Sequence, residues 1–563
     1  MRKLIECVPN FSEGRDLIII KQITDVIESV EGIKLLDVDP GAATNRTVVT
    51  FVGEPEPVLE AAILGMKKAK ELIDMRKHTG AHPRFGATDV CPLIPVSNIS
   101  MEETVEWALK LAKRAGEELQ YPIYCYENAA QKPERKNLAT VRSGEYEGLK
   151  KKLSDPNWLP DFGSAKFVPE TGATAISARD FLVAFNVNLN TTSTRRANAI
   201  AFDVRERGRV KREGNSITGK IIKDENGNKV MIPGSLKAVK AIGWFIEEYG
   251  VAQISMNLTN INITSVHKAF DEVCNSANSR GIRVTGSELV GVIPLKAMLD
   301  AGKYFLRKQN RSLGVSNEEL VKIAIISLGL DDLKPFNPRE KIIEYLLEDE
   351  NKKQLIDFNL RAFANETASE SPAPGGGSIS AYVGSLGISL GTMVANLSSH
   401  KVGWDERWEE FSDYAAAGQS YKDTLLHLVD EDTNAFNKIM DAFKLPRGND
   451  EEKTARKNAI EEASKYAIEV PFKVMETSLK SMEIIKAMAE IGNPNSVSDA
   501  GVGALCARTA VMGAYLNVKI NASSLSDKEF VDHVLSKGKL VEEKAQALEE
   551  EILAITNKKI SNS

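Results

Sequence analysis

The apolar pattern changes near Pro338, and that change divides the 563-residue chain. Before it, strand-like runs alternate with amphipathic helical ones. After about Gln354, strand signals nearly vanish and long helical segments follow one another. A chain of this length also exceeds one core, since domains usually hold about 100–150 residues. The expected class is therefore an α+β N-terminal half joined to an all-α helical-bundle C-terminal domain. The boundaries expected are 1–181 and 182–338 for two subdomains, 339–354 for a linker and 355–563 for the helical domain.

Within the first subdomain the order is strand (Lys3 to Val8), helix (Asp16 to Val30), strand (Ile33 to Val38), strand (Thr47 to Val52) and helix (Glu56 to Ile73). That is the order of a split β-α-β, or ferredoxin-like, unit. A helix over 101–119 opens with Ser100 and carries Glu103, a capping box. A strand over 122–126 follows. Near residue 181 the cycle restarts, with strands at 181–189 and 252–258 and helices at 193–206 and 265–278. Between them residues 219–232 read as an exposed hairpin turning at Asn226-Gly227. In the C-terminal half, residues 354–368, 378–399, 405–444, 450–490, 496–522 and 526–558 read as helices, with Pro471 expected to kink or interrupt the fourth.

Composition narrows the function classes. Apolar residues make up 42% and charged residues 27%, which are globular values, and the net charge of −6 gives no global case for nucleic acid or an anionic membrane. The five cysteines are too far apart in sequence for metal or redox pairs. No leader is expected from the N-terminal residues, and no membrane span from the apolar runs. A cytoplasmic, reducing location is expected.

Two of the six histidines share one loop, His78-Thr-Gly-Ala-His82-Pro-Arg84-Phe-Gly86-Ala-Thr-Asp89. A neutral imidazole with a pKa of about 6.5 takes and returns a proton at cellular pH. A loop histidine bonding to backbone explains the spacing equally well, and the metal-binding Glu-x-x-His pattern is missing. No metal is expected. Two strand exits, Asn10-Phe-Ser12-Glu13-Gly14-Arg15 and Asp37-Val-Asp39-Pro-Gly-Ala-Ala-Thr44-Asn45-Arg46, gather polar groups that ordinary turn chemistry also accounts for. Asp39 is a candidate to orient an imidazole. The stretch Asp161-Phe162-Gly163-Ser164-Ala165-Lys166-Phe167-Val168-Pro169-Glu170-Thr171-Gly172 is a long glycine-flanked loop able to clasp a flat anionic ligand or to link subdomains.

In the helical half, Pro374-Gly375-Gly376-Gly377-Ser378 opens a helix with free N–H groups, suited to an anion or a planar ligand, or to close helix packing. Asp432, in Val429-Asp430-Glu431-Asp432-Thr-Asn-Ala435-Phe436, lies beside an apolar stripe, where most carboxylates reach solvent. The 378–399 segment, rich in Gly, Ala and Ser, should let helices approach closely, and the domain is expected to self-associate.

Together ECVPNFSEG, LLDVDPG with TNRTV, HTGAHPRFGATDVCP, SGEYEGL, NWLPDFG, FVPETGAT, AFNVNLN, GSELVGVIPLKAML, APGGGS and VDEDTNAF resemble the bifunctional formimidoyltransferase-cyclodeaminase family of histidine breakdown. They run in order from residue 6 to residue 436. The 219–232 hairpin looks like an insertion relative to animal members, and the helical half departs more from them than the first half does. The resemblance implies transfer of a formimidoyl group from N-formimino-L-glutamate to tetrahydrofolate, a co-substrate with or without a polyglutamate tail. It then implies closure to 5,10-methenyltetrahydrofolate with release of ammonia, in a homo-oligomer. It places the catalytic transferase histidine at His82, the folate-contacting loop at Gly163 to Gly172 and the cyclodeaminase acid at Asp432. Two alternatives are a transferase whose helical half only holds folate or builds the oligomer, and a small-molecule kinase using Gly375 to Gly377 for phosphate.

Overall fold

Pro9 cannot donate to a ladder, and the first strand-like run is accordingly split into β1 (Leu4–Cys7) and β2 (Asn10–Phe11). The computed structural model describes residues 3–41, 45–80, 84–214, 219–247, 249–348, 354–523 and 525–562. Asp16 accepts from the N–H groups of Ile18 and Ile19 and so starts α1 (Leu17–Glu28). Then come β3 (Lys34–Gly41), β4 (Arg46–Gly53), α2 (Pro55–Leu72) and β5 (Thr88–Ser97). These strands lie in the order β3, β4, β1 with β2, β5, all antiparallel. The capping box at Ser100 and Glu103 is present, with both reciprocal bonds, at the start of α3 (Met101–Leu119). β6 (Ile123–Glu127), the short helices α4 (Leu138–Val141) and α5 (Glu145–Lys152), and β7 (Thr174–Ala178) complete the subdomain. β7 pairs in parallel with both β5 and β6, extending the sheet by two strands.

The second subdomain repeats the order. β8 (Val183–Leu189), α6 (Thr194–Val204), the small pair β9 (Arg209–Val210) and β10 (Met231–Ile232), β11 (Val239–Ile246), β12 (Val251–Leu258), α7 (Val266–Asn278) and β13 (Val284–Val290) follow in turn. The sheet runs β11, β12, β8, β13, antiparallel throughout. Counted from each unit's first strand, both sheets share the spatial order second, third, first, fourth, which is ferredoxin-like. One face is apolar, with Phe185, Val187, Leu189, Ile254, Met256 and Leu258 buried. On β8 and β12 the alternate positions, Asn186, Asn188, Gln253, Ser255 and Asn257, are polar and share the other face. The hairpin turns through Asn226 and Gly227, as expected, with Glu225 in the same loop. Asp224 anchors it, accepting the N–H of Gly227 on its carbonyl and those of Asn226 and Asn228 on its carboxylate. Gly227 takes the left-handed conformation, φ +80°.

Helices α8 (Leu295–Lys308), α9 (Asn317–Leu328), α10 (Pro338–Lys341) and α11 (Ile343–Leu346) lead to the helical domain. By contacts the chain forms two units, 1–301 with 324–348, and 302–323 with 349–563. Residues 302–323, expected in the second subdomain, thus group with the helices. The reason is local: Gly314 sits against Ala415 with no space for a Cβ, and its carbonyl accepts from Asn396 Nδ2 at 2.8 Å and Gln419 Nε2 at 3.0 Å.

The helical unit begins with a 3-10 turn (Leu355–Asp357) and α12 (Leu360–Thr367), where one helix over 354–368 was expected. α13 (Gly376–Ser399), α14 (Trp408–Lys444), α15 (Asp450–Ile491), α16 (Val497–Ala522) and α17 (Lys528–Ser561) follow. α13 is long and apolar enough to cross a membrane by length and composition, but most of it is buried in the bundle. Its Gly384, Gly387 and Gly391 meet Ser478, Gly503 and Ile485 at distances that leave little or no room for a side chain. α15 is not interrupted by Pro471, which lies buried within it. Proline leaves the carbonyl four residues back without its donor. That carbonyl, on Ala467, accepts instead from Asn521 Nδ2 of α16 at 2.8 Å.

Candidate active sites

The two polar strand exits of the first subdomain and the 78–89 loop converge. Gly14 lies so close to Gly41 and Arg46 that a Cβ there would collide with backbone, and its N–H donates to Asn45 Oδ1 at 3.0 Å. Ser12 Oγ donates to the Gly86 carbonyl at 2.7 Å, and Asn45 Nδ2 to that of Thr79 at 3.0 Å. His78 is buried, and its Nε2 lies 2.8 Å from the Asn45 carbonyl. A carbonyl only accepts, so Nε2 carries the proton and Nδ1 presents a lone pair. Burial pulls the His78 pKa below its usual value, so the ring is neutral near pH 7. Nδ1 has no hydrogen-bond partner among the described residues.

His82 lies outside the described residues. The chain on either side of it is anchored: Thr79 through Asn45, and Arg84 through its carbonyl, which accepts from the Tyr146 N–H at 2.9 Å. Asp39 is exposed on β3, where its charge acts on Arg46. Sequence reasoning missed Asp89 and Arg142. Asp89 is fully buried and ion-paired to Arg142, with Arg46 also acting on it; burial is the largest influence and pushes its pKa up to about 6. Nothing in the local pattern distinguishes Arg142 from a solvated helix-edge cation.

Residues 163–172 are clamped at both ends. Gly163 and Gly172 have φ of +78° and +75°, and a Cβ on either would run into the backbone of Tyr121 or Phe85. Just before the loop, Asp161 accepts from the Cys125 N–H at 2.8 Å and from the fully buried Arg135 at 2.6 Å. Arg135 also holds the carbonyls of Asn157 and Leu159. Midway, the Pro169 carbonyl accepts from Tyr146 Oη at 2.6 Å, and the Glu170 carbonyl from the Met75 N–H at 2.9 Å. Ala165 and Lys166 stay exposed. A firmly tethered loop with an open cationic tip can receive a flat anionic ligand.

In the helical unit the glycine loop and the candidate acid meet. Asp432 Oδ2 accepts the N–H of Ser378 at 2.8 Å and its Oγ–H at 3.0 Å. Gly375 is the N-cap of α13 and has no side chain to cap with, so the carboxylate from α14 occupies that helix end. Gly377 makes this possible, because a Cβ on it would overlap the carboxylate. Gly376 faces Asn517 of α16. Burial pushes the Asp432 pKa above the usual carboxylate value, opposed by the two Ser378 bonds. Asp430 points elsewhere and accepts the Leu355 N–H at 2.6 Å. The result is a half-buried carboxyl of raised pKa on an ordered helix start.

The description "Formiminotransferase domain, N-terminal subdomain" fits residues 4–179, "Formiminotransferase domain" residues 184–348 and "Formiminotransferase-cyclodeaminase" residues 359–539. A formimidoyltransferase-cyclodeaminase of Rattus norvegicus is 42% identical over 551 residues, covering 97% of this chain and 98% of its own. The chain belongs to the formimidoyltransferase-cyclodeaminase family. A glutamate formimidoyltransferase of Streptococcus pyogenes is 40% identical over 310 residues, 55% of this chain and 95% of its own. A methenyltetrahydrofolate cyclohydrolase of Methylorubrum extorquens is 34% identical over 202 residues, 36% of this chain and 97% of its own. Family members thus occur with both activities in one name, and relatives of parts of the chain carry single folate or formimidoyl activities.

Proposed function

We propose that the chain transfers a formimidoyl group from N-formimino-L-glutamate to N5 of tetrahydrofolate and then cyclodeaminates the product. The first step yields L-glutamate, and the second yields 5,10-methenyltetrahydrofolate and ammonia. What supports the reading is that relatives named for both reactions match the chain from end to end. In the transfer, the attacking nitrogen loses a proton and the departing glutamate nitrogen gains one. His82 is assigned both transfers, with Asp39 orienting its ring and the 163–172 loop holding the folate. In the second step N10 attacks the amidine carbon, and ammonia leaves as it takes the proton held by Asp432. A carboxyl can donate near neutral pH only if its pKa is raised, which is the direction burial gives Asp432.

The α13 N-terminus disfavours a kinase, since a phosphate bound there would meet the Asp432 carboxylate. A cytoplasmic homo-oligomer serving histidine breakdown completes the reading. The test is one coupled assay with N-formimino-L-glutamate and tetrahydrofolate, following glutamate, methenyl absorbance and ammonia separately. All three products are expected. Glutamate without ammonia would select a transferase with an inactive helical half, and no glutamate would sink the reading.

A further inference from the structure

Two motifs, AFNVNLN and GSELVGVIP, supply the polar face of the second sheet and have no part in the chemistry above. Asn186, Asn188 and Gln253 are 4%, 0% and 0% exposed there, although none faces its own subdomain's apolar core. They are spent on one another, on Glu288 and, through Asn188 Nδ2 at 3.0 Å, on Asp332. Asn186 Nδ2 and Gln253 Nε2 donate to Glu288 Oε2 at 3.2 and 3.3 Å, and Tyr249 Oη donates to Oε1 at 3.3 Å. Gln253 is itself fixed, donating to Asn188 Oδ1 at 2.8 Å and accepting from Trp244 Nε1 at 3.1 Å. Among the described residues, every partner of the Glu288 carboxylate is neutral and at the long end of the hydrogen-bond range. A carboxylate offers about four lone-pair sites, so an oriented acceptor remains available.

The surroundings are those of a binding floor. Ile242 and Trp244 stand on the same face, opposite Ser255 and Gln253, and are 52% and 39% exposed. Lys240 shares the face, and its charge acts on Glu127 at the end of β6.

We propose that Glu288 binds the planar N–C–N edge of a substrate, taking two parallel N–H donors on its carboxylate, one at the open site of Oε1 and one on Oε2 in place of the 3.3 Å bond from Gln253. The pairing is that of a guanidinium with a carboxylate, strong because it is bidentate and charge-assisted. The proposal rests on the transferase reading. Either substrate offers such an edge: the formimidoyl amidine of N-formimino-L-glutamate, cationic when protonated, or the 2-amino-4-oxopyrimidine ring of tetrahydrofolate. Asn186 and Tyr249 act as positioning residues, holding the carboxylate in plane, while Gln253 keeps its shorter bond to Asn188.

The experiment titrates the full-length parent and Glu288→Gln with N-formimino-L-glutamate and, separately, with tetrahydrofolate. The Kd for one of them is expected to rise tenfold or more, with the other unchanged. Loss on the amino-acid arm identifies the amidine, and loss on the folate arm the pyrimidine edge. Glu288→Asp, charged but shorter, is expected to recover part of the affinity, which a merely structural role would not show. Unchanged affinities, equal losses on both arms, or no binding by the parent overturn the assignment. Selective loss in a parent that binds yet forms no glutamate would overturn the transferase reading and leave the assignment standing.

Discussion

A carboxylate seated on helix N–H groups is ordinarily held ionised, but burial drives Asp432 the other way. Asp432→Asn keeps the shape and removes the transferable proton. Glutamate formation is expected to continue while ammonia release falls by about 10²-fold or more, as separate product assays would show. An acid of raised pKa is loaded below that pKa, so the parent's ammonia release should fall as pH rises through it. Gly377→Ala tests the same contact sterically. It should cut ammonia release at least about tenfold by displacing the carboxyl, and leave transfer intact. The glycine loop and the stripe-edge Asp432 were each legible in the sequence. Their contact was not, because it joins residues 54 positions apart that no periodicity links. Glu6 concerns stability instead. Burial raises its pKa from 4.5 to about 7 against the pull of Arg179. Between those values the folded state binds more protons than the unfolded chain, so stability falls as pH rises. The loss approaches about 3 kcal/mol. Urea denaturation at about pH 5 and pH 8 should show Glu6→Gln losing markedly less than the parent, whereas equal losses would refute the shift.

At the scale of elements, apolar period and caps carried most of the information. Ser100 with Glu103 marked the start of α3 correctly, and the repeated strand-helix order marked both ferredoxin-like units. β7 escaped notice because a short parallel strand buried on both sides lacks alternation. Pro471 shows the limit most clearly. Its local effect is written in the sequence, yet the donor that rescues the helix comes from Asn521 on another helix. Asn521→Ala should therefore leave the Ala467 carbonyl unpaired and cost about 1–3 kcal/mol. In a Pro471→Ala background the backbone regains its N–H, and the same substitution should cost much less. A double-mutant cycle by chemical denaturation measures the difference. Additive costs would show that Asn521 supports the helix by packing alone.

At the scale of the whole molecule, the expectation of self-association arose from the small residues of α13. The bundle uses that glycine face internally, against Ser478, Gly503 and Ile485. Other residues bear the argument. On α16, Val502, Leu505, Met512, Leu516 and Ile520 recur at helical spacing and are exposed, the last two by 64% and 67%. On α13, Leu386, Met393 and Leu397 are exposed as well. These two helices pack on each other along one seam, and Met393 and Leu397 also border Gln419 and Lys422 of α14. Soluble monomers rarely present a contiguous apolar face of this kind, and a second copy meeting it about a two-fold axis would bury it from both sides. Sedimentation at micromolar protein should give a mass above that of one chain. Leu516→Glu combined with Ile520→Glu should reduce that mass without loss of helical circular dichroism, since neither side chain fills the core of its own bundle. A monomeric parent would contradict the prediction, and an undiminished mass in the double variant would move the interface away from this seam.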